Sequence, residues 1–487
     1  MKKWKVVLPV IVLAVTLCVL SGMYLKVNAK TNDDRISEGI YIETVYIGGM
    51  TVEEAESALT DYIAQLEEKS FTLTAGDKQL CFQLSEMGFA VTNKDIVQQA
   101  MSVGKTGNLL KRYKDLTDLE QGDLVLELDV SVDTEVVTAL LNDNLKKIDT
   151  KAINHGLIRE NGEFIYVPGA TGIAVNVGPS AALIDEYVKD EWNREDATIA
   201  LSAEITEPKG SKEELSKVKD ILGSYSTNFR TSVAARITNI KVATERIDGT
   251  VLYPGEEFSV NDTILYRNAE NGYEMAGSYE GGQTVQSYGG GVCQVSTTLY
   301  NALILAELEI TERQNHSMTV AYVPLAMDAA IAGDYLDLKF KNNTEYPIYL
   351  EGYTKGKDLY FNIYGVETRP ANRTIAFETV VISSEDPGTQ YSAIELPVGT
   401  VTQTQSKHIG YKTQLWKIVK EDGVEVSREK FNTSNYKSSP RKLAVGIATD
   451  NEALRWAVYN AIGTGDATAI YDALYWSYPE AAAAVLP

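Results

Sequence analysis

Residues Ser287–Leu350 read SYGGGVCQVSTTLYNALILAELEITERQNHSMTVAYVPLAMDAAIAGDYLDLKFKNNTEYPIYL, and this stretch decides the fold at the centre of the chain. Gly289, Gly290 and Gly291 predict a loop without side chains, which lets a substrate backbone approach closely. Directly after the loop, apolar residues recur with the spacing of one helix face, at Val295, Leu299, Leu303 and Ala306. The pattern therefore predicts that Cys293 lies at or near the N-terminus of a helix.

Cys293 in that position has the surroundings of a nucleophile. A helix N-terminus carries partial positive charge and unpaired N–H groups, which favour a thiolate over a thiol. The amides of the glycine loop, together with Gln294, are the expected donors to an oxyanion. A single cysteine on an apolar helix is also typical of a small core residue, so the cysteine alone leaves both interpretations open.

His316 and Asp328 follow the helix and are the candidate partners of the cysteine. His316 precedes the strand-like segment 317–325, and the return of the chain toward the helix N-terminus would bring the imidazole within reach of the thiol. A carboxylate can fix the tautomer and orientation of such a ring. Asp328 is the first candidate for this role, with Asp334 and Asp337 as alternatives. The order Cys, His, Asp also occurs in papain-like and transglutaminase-like enzymes, so these residues are candidates for a site with a nucleophilic cysteine.

The same residues carry a family resemblance. The runs VLYPGEEFSVND, YGGGVCQVSTTLYNALILAELEITERQNHS and YVPLAMDAA resemble the VanW domain over about residues 211–365. Some clostridial proteins of this kind act as L,D-transpeptidases. The resemblance therefore implies formation of 3-3 cross-links between peptidoglycan stem peptides, without a metal or cofactor. It implies Cys293 as the nucleophile, His316 as the base and Asp328 as the third residue.

Further polar side chains near this site are candidates for binding substrate, namely Ser296, Thr297, Arg313 and Ser317. The chain departs from the family pattern nearby. Ala326 and Glu307 stand where Gly is usual, and Thr is usual near Ala329. Two other functions stay open. Water as the acceptor would make the protein an L,D-carboxypeptidase or endopeptidase, and an inert cysteine would leave a wall-binding scaffold.

The N-terminus predicts a membrane segment. Val6–Leu25 is an uncharged run of 20 residues, which at helical rise matches the hydrocarbon thickness of a bilayer. Lys2, Lys3 and Lys5 before it predict a cytoplasmic N-terminus. We therefore expect residues 1–29 to form a cytoplasmic stub and a single-pass signal-anchor. The rest of the chain would face the cell wall of a Gram-positive bacterium. Cleavage after Val27-Asn28-Ala29 is the alternative.

Two α+β modules are expected between this anchor and the VanW-like region, at residues 36–116 and 117–208. The order strand, helix, hairpin, helix occurs twice, and Thr51 with Glu54 predicts a capped helix in the first copy. The runs YIGGMTVEEAESAL and FIYVPGATGIAVNV resemble the peptidoglycan-binding module that usually precedes VanW domains. The resemblance implies wall binding. A rigid spacer is the alternative.

The region after the VanW-like domain (211–365) alternates like β structure. The run VGTVTQTQSKHIGYKTQLWKIVKEDGVEVSREKF resembles a G5 domain, here residues 375–448, and Asp422-Gly423 predicts a hairpin turn within it. The tail, residues 449–487, shows helical spacing and no functional motif. The fold class expected is therefore α+β and multidomain, with one N-terminal transmembrane helix and a small all-β domain.

Composition narrows the choice of partners. The formal charge of −22 comes from 45 basic and 67 acidic residues, and it disfavours nucleic acid, because phosphate binding needs a basic face. Three cysteines without a CxxC pair and three histidines do not predict a structural zinc site or a disulfide framework. The partners expected are peptidoglycan stem peptides and, through the N-terminal helix, a membrane.

Overall fold

A computed structural model describes residues 4–31, 33–280 and 283–486 of the chain. The chain divides into two compact units. The first comprises the residues up to Ile153 together with Ala170–Pro208, and the second comprises Asn154–Gly169 together with the residues from Lys209 onward. Both units mix helices and strands, so the protein is a multidomain α+β protein, as the sequence predicts.

Helices and short strands make up the chain up to residue 208. The helices are α1 (Trp4–Thr31), α2 (Val52–Glu67), α3 (Ile96–Ser102), α4 (Leu109–Gln121), α5 (Thr134–Ile148) and α6 (Val177–Asp190). The strands are β1 (Ile40–Ile42), β2 (Val45–Tyr46), β3 (Ser70–Ala75), β4 (Lys78–Gln83), β5 (Ala90–Val91), β6 (Leu124–Leu126), β7 (Val130–Ser131), β8 (Gly156–Glu160), β9 (Glu163–Val167), β10 (Gly172–Val175), β11 (Ala197–Ala200) and β12 (Ala203–Thr206). The β8–β9 hairpin belongs to the second unit.

The first unit has one hydrophobic core to which both predicted modules, 36–116 and 117–208, contribute. Strand β1 pairs in parallel with β6, and β3 pairs in parallel with β11, so strands from the two halves share sheets. The buried side chains from Ile36 to Leu201 form one cluster. Helix α2 begins at the predicted cap, where Thr51 and Glu54 form a capping box.

Helix α1 is long and apolar enough to cross a membrane. Its apolar span, Leu8–Asn28, has 21 residues and a mean hydropathy of 2.3. The side chains of Leu8, Leu13 and Leu25 are 60%, 61% and 70% exposed, as expected for a helix that faces lipid. The helix is either a membrane anchor or a signal sequence. Lys2 and Lys3, and the side chain of Lys5, lie outside the described residues.

The central part of the second unit carries the predicted site. Its helices are α7 (Lys212–Leu215), α8 (Ala234–Ile247), α9 (Val260–Ile264) and α10 (Val292–Leu305). Its strands are β13 (Asp220–Asn228), β14 (Thr250–Leu252), β15 (Glu257–Ser259), β16 (Met275–Glu280), β17 (Gln283–Tyr288), β18 (Glu309–Glu312), β19 (Lys339–Lys341), β20 (Ile348–Lys355) and β21 (Asp358–Gly365). Four of these strands form an antiparallel sheet in the order β13-β21-β20-β14.

Helix α10 packs against this sheet and is buried along almost its whole length. Gly223 on β13 makes that contact possible, because a Cβ there would lie 2.3 Å from the carbonyl oxygen of Ala302. A helix that is buried on all sides is typical of the core of a domain. The helix thus forms a fixed base for the cysteine near its N-terminus.

The C-terminal part adds two three-stranded sheets and three helices. The strands are β22 (Arg373–Glu385), β23 (Thr389–Pro397), β24 (Val401–Gln405), β25 (Gly410–Glu421), β26 (Val424–Tyr436) and β27 (Arg441–Ala448), and the helices are α11 (Glu452–Thr464), α12 (Ala467–Tyr475) and α13 (Pro479–Val485). The sheets have the orders β22-β25-β26 and β23-β27-β24. The predicted turn joins β25 to β26, with Asp422 at φ +50° and Gly423 at φ +81°.

One local prediction is wrong. Residues 317–325, predicted as a strand, form an irregular segment. Pro324 lacks a backbone donor, and the carbonyl of Ser317 accepts instead from the backbone of Lys437 on an adjacent segment.

Candidate active site

Cys293 is the second residue of helix α10, directly after the three glycines. Gly289 has φ +78° and Gly291 has φ +111°, conformations that other residues rarely adopt. A Cβ at Gly290 would lie 2.5 Å from the carbonyl oxygen of Ala276. The absence of side chains is therefore required by packing within the protein. The prediction that the loop leaves room for a substrate backbone needs correction, since the protein itself fills that space.

The amides of the loop divide into two groups. Those of Gly289, Gly290, Val292 and Gln294 donate to carbonyls of the chain. Among the described residues, the amides of Gly291 and Cys293 have no hydrogen-bond acceptor. Unpaired amides in the first turn of a helix are suited to hold an oxyanion.

The side chain of Gln294 is not such a donor, contrary to the prediction. It is 1% exposed, and its amide nitrogen donates to Thr227 Oγ1 at 2.9 Å and to the carbonyl of Asn228 at 3.0 Å. Its oxygen accepts from Arg236 Nη2 at 2.8 Å. Every polar atom of this side chain is satisfied within the fold, so Gln294 secures the start of α10 to its neighbours.

The thiol of Cys293 and the ring of His316 are in hydrogen-bond contact. Burial raises the pKa of Cys293, but the hydrogen bond and the charge of His316 outweigh it, so the pKa lies below its usual value. Burial lowers the pKa of His316, but hydrogen bonds to Asp328 and Cys293 raise it to about 9. These opposite shifts favour a thiolate–imidazolium pair near neutral pH. The thiol also lies 3.3 Å from the carbonyl of Ile331.

Asp328 is buried, with 1% exposure, and holds the other side of the imidazole. Its Oδ2 accepts from His316 Nδ1 and from the backbone amide of His316, both at 2.7 Å. Since Nδ1 is engaged by the carboxylate, Nε2 is left for the sulfur. Burial raises the pKa of Asp328, but its contacts with His316 lower it below the usual range. The alternatives lie elsewhere, because Asp334 is exposed and Asp337 binds Ser259 and the amide of Asn261.

The side chains expected to bind substrate have other roles. Ser296 and Thr297 are fully buried on α10, and both donate to the carbonyl of Ala329. Arg313 donates to the carbonyl of Asp328 at 2.7 Å and to its Oδ1 at 3.2 Å. These three predictions are wrong, because polar residues beside a buried site are needed to satisfy its own backbone and charge. Ser317 is exposed next to His316.

Arg236 and Tyr322 are site residues that the sequence patterns did not reveal. They line both of two adjoining cavities of about 690 Å³ and 460 Å³, and Gly277 and Ala321 are also shared. Tyr322 hydrogen-bonds with the side chain of Thr297, and burial raises its pKa. Gln294, the neighbour of Cys293, lines the larger cavity. The larger cavity therefore reaches the start of α10. Arg236 donates to Ser232 and Gln294 and so forms part of the wall of both cavities.

Ala326 and Glu307, where the family pattern has Gly, both adopt left-handed conformations, with φ +66° and +60°. Glu307 is held by ion pairs with Arg373, Lys417 and Arg369, and burial opposed by these pairs leaves its pKa at about 2. The methyl side chain of Ala326 cannot form ion pairs that would offset the cost of its left-handed conformation. The usual Gly at both positions is explained by the backbone conformation.

Ala326→Gly is therefore expected to stabilise the protein. Relief of the left-handed strain should raise the free energy of unfolding by about 0.5–1 kcal/mol, after the greater freedom of Gly in the unfolded chain is subtracted. Ala329→Gly is the control, because Ala329 is also buried but has no positive φ. This substitution should lower the stability of the protein. Chemical denaturation of both variants measures the difference. A loss of stability in Ala326→Gly equal to that in Ala329→Gly would contradict the explanation.

Thiol reactivity should follow the paired pKa shifts. In a background where Cys18 and Cys81 are replaced by Ser, iodoacetamide reports on Cys293 alone. We expect a midpoint of the rate against pH below about 8.5, the value of an unperturbed thiol. Reactivity is lost as the pH falls through the lowered pKa of Cys293. In His316→Ala, burial acts without the imidazolium, so the midpoint should move above that of the parent. Equal midpoints would contradict the ion pair.

These features define the class: a multidomain α+β protein whose central domain carries a cysteine, a histidine and an aspartate in contact at a helix N-terminus. Three family profiles match it. The profile for VanW like protein matches residues 235–364, that for a peptidoglycan binding domain matches 81–197, and that for the G5 domain matches 366–448.

Two curated relatives are similar to parts of the chain. The uncharacterized protein YoaR of Bacillus subtilis is 30% identical over 241 residues, which is 49% of this chain and 72% of that protein. The vancomycin B-type resistance protein VanW of Enterococcus faecalis is 27% identical over 115 residues, which is 23% of this chain and 42% of that protein. The chain therefore belongs to the VanW family.

Two solved structures of G5 domains are similar to part of the chain. The G5 domain of an IgA1 protease is 26% identical and covers 16% of this chain and 94% of that structure, with a TM-score of 0.13. The HP0197-G5 crystal structure is 18% identical and covers 16% of this chain and 100% of that structure, with a TM-score of 0.11. A VanW-family chain with peptidoglycan-binding and G5 domains fits a protein of the cell wall.

Proposed function

We propose that this protein is a peptidoglycan L,D-transpeptidase that forms 3-3 cross-links through an acyl-enzyme on Cys293. The observation that carries the proposal is the ring of His316, which contacts the thiol of Cys293 on one side and Asp328 on the other at 2.7 Å. A nucleophile, a base and a group that orients the base are the parts that acyl transfer requires.

The first half of the reaction forms a thioester. The thiolate of Cys293 attacks the carbonyl carbon of the third residue of a tetrapeptide stem, and the oxyanion is held by the amides of Gly291 and Cys293. The C–N bond to the terminal D-Ala then breaks. The imidazolium of His316 gives its proton to the leaving amine, so that D-Ala departs with a neutral amino group.

The second half of the reaction transfers the acyl group. The side-chain amine of the diamino acid in a second stem attacks the thioester carbonyl, and His316 takes the proton that this amine loses. The C–S bond breaks and an amide forms between the two stems, while the sulfur leaves as the thiolate paired with the imidazolium. Asp328 keeps the ring oriented in both halves and stabilises its charge.

The larger cavity, which reaches the start of α10, supports a peptide substrate with free carboxylates. Arg230 lines this cavity, and stem peptides carry carboxylates that a guanidinium can bind in two-point fashion. The match of residues 81–197 to a peptidoglycan binding domain supports wall binding by the first unit. Helix α1 would anchor the chain as a single span, with the N-terminus cytoplasmic and both units on the wall side.

Product analysis tests the proposal. The full chain in detergent is incubated with purified disaccharide-tetrapeptide, and the products are separated and weighed by mass spectrometry. We expect a cross-linked dimer that has lost one D-Ala, and none of it with Cys293→Ala. Tripeptide without dimer would identify a carboxypeptidase that uses the same cysteine. Unchanged tetrapeptide with the wild-type chain would contradict an enzymatic function and favour a wall-binding scaffold.

A further inference from the structure

We propose that Tyr436, supported by Ser434 and Asn432, is a positioning residue of the Cys293 site, so that the G5 region completes the active site of the VanW domain. This inference rests on the proposed function for its catalytic meaning. The three residues alternate along β26, so their side chains point to the same face. Ser434 and Tyr436 are 1% and 5% exposed, whereas the intervening residues are exposed.

The hydroxyl of Tyr436 joins both ends of the short segment that carries Asp328. It donates to Asp328 Oδ1 at 2.5 Å and accepts from the backbone amide of Ala326 at 2.8 Å. Ser434 Oγ accepts from Arg313 Nη1 at 3.0 Å, and Asn432 Nδ2 donates to the carbonyl of Ala326 at 3.2 Å. The face of β26 thus contacts the carboxylate, the arginine beside it and the backbone that places them.

The segment that carries His316 is docked on the same strand. Strand β26 is an edge of its sheet, and edge strands present unpaired backbone groups. The side chain of Asn315 donates to the carbonyl of Asn435 at 2.8 Å, and the amide of Lys437, just after the strand, donates to the carbonyl of Ser317 at 2.7 Å. The residues on both sides of His316 are therefore held by the chain at and just beyond the end of β26.

Asp328 needs this support because it is a buried carboxylate. Its four acceptor positions are filled by His316 Nδ1, the His316 amide, Arg313 and Tyr436. The titratable and charged groups that face Asp328 are Arg313, His316, Tyr300, Tyr322 and Tyr436, and those that face Cys293 are His316, Arg267 and Tyr322. Loss of the Tyr436 hydroxyl leaves one carboxylate oxygen with a single donor, so protonation of Asp328 becomes easier and His316 loses its anionic partner at a higher pH.

Tyr436→Phe tests the inference, because it removes the hydroxyl and keeps the ring. Tyr411→Phe is the matched control. Tyr411 lies directly opposite Tyr436 in the β25–β26 ladder, and its hydroxyl has no hydrogen bond to another described residue. Both variants are made in the full chain with Cys293 as its one cysteine. The measurements are the pH profile of Cys293 alkylation and the kcat and KM for cross-linking.

We expect the acidic limb of the alkylation profile to move to higher pH by on the order of one unit in Tyr436→Phe, and not at all in Tyr411→Phe. We expect kcat to fall about 10- to 100-fold with KM unchanged. If Tyr436→Phe does not fold, Ser434→Ala should shift the limb in the same direction through Arg313. Profiles that overlie the parent in both variants would overturn the inference.

The two hypotheses fail in different ways. Alkylation needs no substrate, so a shifted limb in a protein that forms no cross-links would support the positioning role and contradict the transpeptidase. Cross-linking by the parent with an unshifted limb in Tyr436→Phe would do the opposite.

Discussion

Replacing Cys293 with Ala is expected to lower the rate of cross-linking by at least about 10⁴-fold, because the covalent route is lost and only binding and the oxyanion donors remain. The fold should survive. The thiol makes one weak hydrogen bond within the protein besides its contact with His316, to the carbonyl of Ile331 at 3.3 Å. The free energy of unfolding should therefore change by no more than about 1 kcal/mol. Product formation over time and chemical denaturation measure the two effects.

Cys81→Ala is the matched control for this variant. Cys81 is a free cysteine exposed on β4 of the first unit, so its replacement should leave the rate unchanged. Retention of more than a few per cent of the activity in Cys293→Ala would contradict a nucleophilic role for the thiol. A fall of similar size in Cys81→Ala would assign the loss to something other than the proposed site.

Asp328→Asn is expected to have the largest effect on stability and a strong effect on rate. The neutral amide leaves the side chain of Arg313, 8% exposed, without its anion, and a broken buried ion pair costs about 3–5 kcal/mol. The NH₂ group of the new side chain would face either the donors Arg313 and Tyr436 or the donors of His316. In the second orientation it favours the wrong tautomer of His316. We expect a fall in turnover on the order of 10²–10⁴-fold.

Asp337→Asn separates the two effects. Asp337 is also buried and hydrogen-bonded, to Ser259 and the amide of Asn261, but it has no contact with His316. Asp337→Asn should lower the free energy of unfolding and leave the pH profile of Cys293 alkylation unchanged. A loss of turnover in Asp328→Asn no larger than that in Asp337→Asn would reduce Asp328 to a structural residue.

The sequence was sufficient to predict the residues that meet at the site, because one local signal was strong and a family resemblance added to it. A glycine run before an apolar period predicts where a helix starts, and α10 begins at Val292. His316 and Asp328 were chosen with the help of the resemblance to the VanW domain, because Asp334 and Asp337 follow almost as closely in sequence and yet lie elsewhere in the fold. The capping box at Thr51 and the turn at Asp422-Gly423 were predicted from local signals as well, since each depends on adjacent residues.

The errors concern residues whose role depends on distant partners. Gln294, Ser296, Thr297 and Arg313 are polar residues beside a cysteine, and nothing local distinguishes a substrate ligand from a side chain that satisfies a buried carbonyl or carboxylate. Burial decides between them, and burial depends on the tertiary fold. The segment 317–325 has strand composition but lacks a ladder partner among the described residues.

Tyr436 illustrates a limit of another kind. It contacts Asp328 across a separation of 108 positions, from a region whose alternation predicts a domain of its own. One local signal was available: Asn432, Ser434 and Tyr436 place polar groups on the buried face of a strand. Such groups need partners, and buried partners are often functional.

Trapping of the acyl-enzyme tests whether Cys293 is the nucleophile. The full chain is mixed with disaccharide-tetrapeptide, quenched in acid, and weighed intact before peptide mapping. We expect an adduct with the mass of the substrate minus D-Ala, attached to Cys293 and absent from Cys293→Ala, and greatly reduced in His316→Ala. An adduct on another residue, or cross-linked product formed without any adduct while the thiol stays unmodified, would contradict a nucleophilic role for Cys293.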